Sequence, residues 1–168
     1  MSVLESEGTI EAMDFDLIIS VLRALGAKGV RYRIVGGVAL NLQGLARATV
    51  DLDIFVSPDD DNIARLRAAL QSVFADPEID QITAEDLRGR YPAIQYVPPS
   101  GSFHIDILAR LGEAFTFDQI DFEELEVEGV VVPVATPRML YTMKKDTVRL
   151  QDRADADRLR RHYHLDED

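Results

Sequence analysis

Three aspartates are the side chains in this sequence best suited to chemistry: Asp51 and Asp53, one residue apart, and Asp106, about fifty residues further on. Side chains alternate across a strand. In Val50-Asp51-Leu52-Asp53-Ile54-Phe55-Val56, the residues Val50, Leu52, Ile54 and Val56 share one face, and Asp51 and Asp53 share the other. In Phe103-His104-Ile105-Asp106-Ile107, His104 and Asp106 share a face opposite Phe103, Ile105 and Ile107. Both segments read as strands that are apolar on the packed side and acidic on the open side. Clustered carboxylates repel one another unless a counter-charge is present. A divalent ion supplies that charge, and Mg²⁺ favours a few carboxylates together with water and phosphate oxygens. Two such ions clamp the attacking and leaving oxygens of an in-line displacement on a nucleoside triphosphate. An isolated D-x-D in an acidic protein is ordinarily a solvent-facing strand edge. The third aspartate and a nearby glycine pair shift the reading to a functional site.

That pair, Gly36-Gly37, follows Val35 and precedes Asp51 by thirteen residues. Glycine permits φ > 0 and a close approach of backbone to a ligand. The N–H groups that open the following helix suit a phosphate. Taken alone, a Gly-Gly is a tight turn. No G-K-[ST] follows, so it is not a P-loop, and a third glycine is missing for a dinucleotide fingerprint.

The elements that must position these residues are legible from periodicity. Residues 1–13 read as a loose lead-in. Phe15, Ile18, Ile19, Leu22 and Leu25 fall at helical spacing, ended by Gly26 and Gly29. Arg31 to Val35 reads as a strand, Val38 to Leu42 as a short helix stopped at Gly44, and Val50 to Val56 as a strand. Ser57-Pro58 is expected to cap a helix reaching about Phe74. Residues 75–92 read as a loop with one short helix. Ala93 to Val97 and Ser102 to Leu108 predict two strands joined by Pro98-Pro99-Ser100-Gly101 as a hairpin. Glu124 to Val127 and Val130 to Val134 predict further short strands, broken at Gly129. Thr136-Pro137 opens a C-terminal helical portion, 137–163, with one helix to about Leu150 and another from about Asp152 to Tyr163. No internal repeat or linker is visible. The expectation is one α/β (α+β) domain over 1–168, a mixed sheet flanked by helices.

Composition bounds the partners. The chain has 168 residues, 46% hydrophobic and 29% charged, which is a globular balance. It has no cysteine, so disulfides and thiolate metal sites are excluded, and His104, His162 and His164 are too scattered for a usual histidine zinc site. The net charge of −12 makes broad nucleic-acid binding unfavourable, with one basic stretch from Arg138 to Arg161. The acidic start is not a signal peptide, and no segment offers a membrane span, so a cytoplasmic location is expected.

Val35-Gly36-Gly37, the spacer, Asp51-Leu52-Asp53 and Asp106 together resemble the signature of the nucleotidyltransferase superfamily with the DNA polymerase β-type fold. Gly36-Gly37-Val38-Ala39-Leu40 followed by Arg47-Ala48-Thr49-Val50-Asp51-Leu52-Asp53 resembles one branch of it, the bacterial abortive-infection-type nucleotidyltransferase toxins and their relatives. Similar wording occurs in small antibiotic nucleotidyltransferases. Met143-Lys144, Arg149, Asp152 and Asp155 are similar to the lysine, arginine and paired aspartates that close the domain in the toxin branch. The resemblance implies that Gly36 and Gly37 hold the triphosphate of an NTP and that Asp51 and Asp53 bind two Mg²⁺ ions, with Mn²⁺ as a substitute. It implies that Asp106 binds the catalytic metal and helps deprotonate an acceptor hydroxyl, which belongs to a small molecule, a tRNA end or a protein side chain. A partner antitoxin is a further implication.

Several residues carry two readings each. On the helix from Pro137, Leu140, Met143, Thr147 and Leu150 form a stripe. Lys144 flanks it and either reaches the triphosphate or snorkels, while Lys145 points to solvent. Arg47 either meets a phosphate or caps its loop. Asp152 and Asp155 read as ion-pair partners of Arg149, Arg153 or Arg158. His104 either touches substrate or lies beside it. Phe115, Phe117 and Phe122 read as core or loop anchors, and His162-Tyr163-His164 as surface. The reading is a metal-dependent enzyme that moves an NMP from an NTP to a hydroxyl and releases pyrophosphate. Its rivals are a non-catalytic nucleotide-binding or toxin–antitoxin interaction module, and an antibiotic-modifying enzyme.

Overall fold

The computed structural model describes residues 9–45, 51–99, 103–113, 115–145 and 150–165, with the side chains of 9–14 left aside. The helices are α1 (Thr9–Ala27), α2 (Gly36–Leu42), α3 (Asp60–Phe74), α4 (Ala84–Arg88), α5 (Pro137–Lys144) and α6 (Leu150–His162). The strands are β1 (Tyr32–Val35), β2 (Asp51–Val56), β3 (Ala93–Tyr96), β4 (His104–Leu108), β5 (Arg110–Leu111), β6 (Phe115–Thr116), β7 (Phe122–Val127) and β8 (Val130–Ala135). Six of the strands form one mixed sheet in the order β3-β4-β2-β1-β8-β7, and β5 pairs with β6 in a small separate hairpin. The expected mixed sheet flanked by helices is present.

The sheet's centre follows from its sequence. Ile34, Leu52, Ile54, Ile105 and Ile107 are fully buried. They alternate with the polar positions of β2 and β4, as a strand with one packed face requires. β2 runs parallel to β4 and antiparallel to β1. α1 packs on α3 and β8, α2 on β1, β2 and α5, and α5 on α6. Among the described residues no helix is long and apolar enough to cross a membrane.

Four local expectations change. α1 begins at Thr9, so residues 9–13 are helical and not loose lead-in; nothing between Thr9 and Phe15 breaks a helix. The cap of α3 is Asp59, not Ser57-Pro58: its side chain accepts from the Asn62 N–H, and Ser57 Oγ donates to that carboxylate. Residues 75–92 hold a 3₁₀ turn (Pro77–Gln81), capped by Asp76, in addition to α4. α5 stops at Lys144, and Leu150 opens α6 with 80% exposure, so the apolar stripe does not run on to Leu150. Thr147 and Arg149 lie outside the described residues. The turn at Gly129 is as expected. Glu128 and Gly129 both have positive φ, 50° and 78°, which suits a two-residue hairpin loop.

Candidate active site

Sheet register assembles the three aspartates. Parallel pairing of β2 with β4 sets Asp51 opposite His104 and Asp53 opposite Asp106. Antiparallel pairing with β1 sets Val35, the residue before the glycine pair, opposite Asp53. Asp51, Asp53 and Asp106 each offer an oxygen within 4.8 Å of the others. The group is half-buried, whereas the apolar residues between them in sequence are fully buried.

The centre of this cluster is Asp53. Burial pushes its pKa up to about 8, reinforced by a hydrogen bond with Asp106 and by the negative charges of Asp106 and Asp51, while Lys144 works in the opposite direction. Asp53 Oδ1 is buried and, among the described residues, has no hydrogen-bond partner. A buried carboxylate oxygen without a donor is costly. Beside two further carboxylates it is a fit for a hard cation with oxygen ligands. The donor set Asp51, Asp53 and Asp106 therefore suits Mg²⁺ or Mn²⁺ by chemistry as well as by proximity.

Gly36 makes the close packing possible. It opens α2 with φ +72°, and a Cβ placed on it would lie 2.8 Å from Asp53 Cγ, with Oδ2 nearer still. The glycine is required twice, by its left-handed backbone and by the absence of a side chain where the Asp53 carboxylate lies. Gly37, the next residue, is buried in the first turn of α2.

Around the cluster stand two further polar groups. His104 Nδ1 lies 3.1 Å from Asp51 Oδ1, and both side chains are a little over one-third exposed. Lys144, with its side chain 13% exposed, lies 3.0 Å from Asp152 and 3.4 Å from Asp155, whose side chain is fully buried. Lys144 is thus a half-buried cation whose charge acts on Asp53, and Lys145 is exposed beside the Tyr141 ring.

A family profile, "Nucleotidyl transferase AbiEii toxin, Type IV TA system", matches residues 20–164. The chain belongs to this family. As an AbiEii-family protein it is a nucleotidyltransferase, and its solved neighbours share the fold. A "putative nucleotidyltransferase" from Thermotoga maritima aligns with TM-score 0.50 and 15% identity, over 96% of this chain and 99% of that one. The structure of ANT(2")-Ia in complex with adenylyl-2"-tobramycin aligns with TM-score 0.53 and 14% identity, over 88% of each chain. At such identities the likeness is one of fold. A search of curated proteins finds no match.

The structure of this AbiEii-family chain brings together Gly36, Asp51, Asp53 and Asp106, with the charge of Lys144 acting on Asp53; Gly37 is buried in α2, and Arg47 lies outside the described residues. Asp152 and Asp155 were expected beside arginines. Both meet Lys144, and Asp155 also accepts from Gln151 Nε2, so these aspartates help shape the site's surroundings, while Arg149 lies outside the described residues. Their i, i+3 spacing, which puts both on one side of α6, was the available signal. Phe117 is buried and Phe122 is 42% exposed, and together they flank the Arg33 guanidinium at 4.2 Å and 3.8 Å. They anchor the loop before β7, as expected of them. The Tyr163 ring meets His162 edge-on at 4.7 Å in the C-terminal turn.

Proposed function

We propose that this nucleotidyltransferase moves a nucleoside monophosphate from an NTP to an acceptor hydroxyl, releases pyrophosphate and depends on divalent cations. The observation that carries this reading is the cluster of Asp51, Asp53 and Asp106 around a buried Asp53 oxygen that has no donor. Bound Mg²⁺ or Mn²⁺, two ions by the usual pattern of such sites, would supply charge neutralisation at the transferring phosphate and a more acidic acceptor hydroxyl. Asp51 and Asp53 hold the nucleotide-side cation in this reading. Asp106 completes the second position and receives the acceptor's proton. Gly36 and Gly37 lie against the triphosphate, and Lys144 sets a positive charge toward it. Arg47 adds a phosphate contact from the segment before β2. The family's toxin–antitoxin description supports a cognate antitoxin as biological partner.

Incubation with each labelled NTP, Mg²⁺ and a cell extract tests the reading, because the labelled product names the acceptor class. In parallel, Asp51→Asn combined with Asp53→Asn is expected to abolish metal-dependent ATP binding. Equal, metal-dependent affinity in the double variant would remove the basis for the metal site.

A further inference from the structure

We propose that Gln95 is an acceptor-orienting residue: its amide stands on the far side of Asp106 from the glycine turn and holds the acceptor through an uncharged polar group beside the reacting hydroxyl. The proposal rests on the transfer reading above and deepens it on the acceptor side.

Register places Gln95 there. Val35, Asp53, Asp106 and Gln95 are successive partners across β1, β2, β4 and β3. Residues opposed across neighbouring strands share one face of the sheet. The row runs from the glycine turn, through two carboxylates, to Gln95. An in-line displacement sets the attacking and leaving oxygens on opposite sides of the phosphorus. With the triphosphate over Gly36 and Gly37, pyrophosphate leaves on the β1 side. The acceptor oxygen then arrives from the β3 side. It bonds to the α-phosphorus as the bond to pyrophosphate breaks, and its proton passes to Asp106.

Ladder geometry brings Gln95 close enough to share that acceptor. The Ala109 N–H donates to the Pro92 carbonyl, one step along from the Ala93–Leu108 pair. Hydrogen-bonded and non-hydrogen-bonded pairs alternate along an antiparallel ladder. Gln95 and Asp106 accordingly form a non-hydrogen-bonded pair, the kind with the closer side chains and with Cα atoms about 4.5 Å apart. Gln95 is exposed, and its Nε2 lies 3.4 Å from His104 Nδ1. An amide nitrogen only donates, so the ring nitrogen accepts. This bond anchors the amide and leaves its second N–H and its oxygen for a ligand.

Charge defines the class of ligand. From Tyr91 to Pro99 the chain has no acidic or basic residue. Ala93 and Gln95 are exposed on β3, and Val97 just beyond it is 49% exposed. The opposite edge strand, β7, instead exposes Glu123, Glu124 and Glu126. The wall beyond Asp106 is thus uncharged in a chain of net charge −12. An amide that donates and accepts matches a neutral hydroxyl or amide, whereas an ammonium group only donates.

The test follows label from NTP to extract components as extract concentration is raised, with Mg²⁺, in wild type, Gln95→Ala, Gln95→Met and Gln95→Glu. Affinity for the α,β-methylene analogue of the same NTP, and Tm, are measured alongside. Methionine keeps the length of glutamine without its polar atoms, so it decides the matter where alanine lowers Tm. Expected is about 5–10-fold more extract for half-maximal labelling in the alanine and methionine variants, with wild-type affinity for the analogue. Gln95→Glu, which has no N–H to donate, is expected to label no better than they do. Wild-type extract dependence in the methionine variant overturns the acceptor role and leaves nucleotidyl transfer standing. An equal loss of analogue affinity puts Gln95 on the nucleotide side and overturns the role as well. Stronger labelling by Gln95→Glu overturns the neutral acceptor class. No labelled product from wild type in any extract overturns the transfer reading and this inference with it.

Discussion

At the scale of single residues, the site is governed by how little room surrounds Asp53. Gly36 lies so close to its carboxylate that even a methyl group must displace it. Gly36→Ala is expected to cost about 1–2 kcal/mol in stability from the left-handed backbone alone. It should also lower metal-dependent turnover far more than Gly37→Ala does; thermal melts and product formation from labelled NTP measure the two effects. Asp106 differs from the D-x-D pair in its expected consequence. Asp106→Asn should lose turnover by about 100-fold or more and keep much of its nucleotide affinity, because Asp51 and Asp53 still hold the nucleotide-side cation. Turnover at the wild-type rate would make Asp106 a bystander. Tyr32 is a residue of another kind, with a buried hydroxyl that has no partner among the described residues and lies away from this chemistry.

At the scale of elements, α5 and α6 form the wall that carries Lys144. Adjacent residues on a helix lie about 100° apart around its axis. Lys144 therefore turns inward between Asp152 and Asp155, while Lys145 stays outside. Two carboxylates already meet the lysine, so its charge is held in place for a third partner and is not free to sweep the cleft. Lys144→Ala should weaken NTP affinity by about 10-fold and also loosen the α5–α6 contact, because Asp155 is left buried without this cation. Lys145→Ala should change neither. Equal effects of the two substitutions on NTP affinity, read by titration calorimetry, would refute the assignment. The apolar stripe of α5 is shorter than its sequence suggests, with Met139 and Leu140 buried and the helix ended at Lys144. The lysine is placed by the last turn of a short helix.

At the scale of the whole molecule, the carboxylate cluster couples stability to pH and to cation. Burial and neighbouring charges raise the native pKa of Asp53 from 3.8 to about 8. Between these values the native state holds a proton that the unfolded chain has released. Stability without metal must therefore fall as pH rises from about 4 to about 8, and this contribution levels off beyond either end. A divalent cation replaces the proton and relieves the repulsion, so its stabilising effect should grow over the same range. Melting curves at pH 5, 6.5 and 8, in EDTA and in excess Mg²⁺, should show the two sets diverging as pH rises. Asp53→Asn should make the metal-free curve flatter and reduce the gap. The net charge of −12 adds general repulsion at high pH, and the Asn variant separates that background from the local effect.

The sequence by itself determined the period-2 faces of β2 and β4, the glycine break after β1, and the helix opened by Thr136-Pro137. These rest on local rules: side-chain alternation, the backbone freedom of glycine and the fixed φ of proline. They were enough to read a mixed α/β domain and to nominate Asp51, Asp53 and Asp106, and the resemblance carried by those aspartates and the glycine pair named the fold. The cap of α3 was misplaced because Ser57, Pro58 and Asp59 are all competent helix-start residues, and the choice of Asp59 follows from its bonds to Asn62 and Ser57. Only the tertiary structure decided which side chains meet. His104 reaches Asp51 through a strand pairing that joins residues more than fifty positions apart, and the placement of Asp155 beside Lys144 depends on how α6 packs against α5. Strand register and helix packing are set by long-range burial, which no local pattern contains.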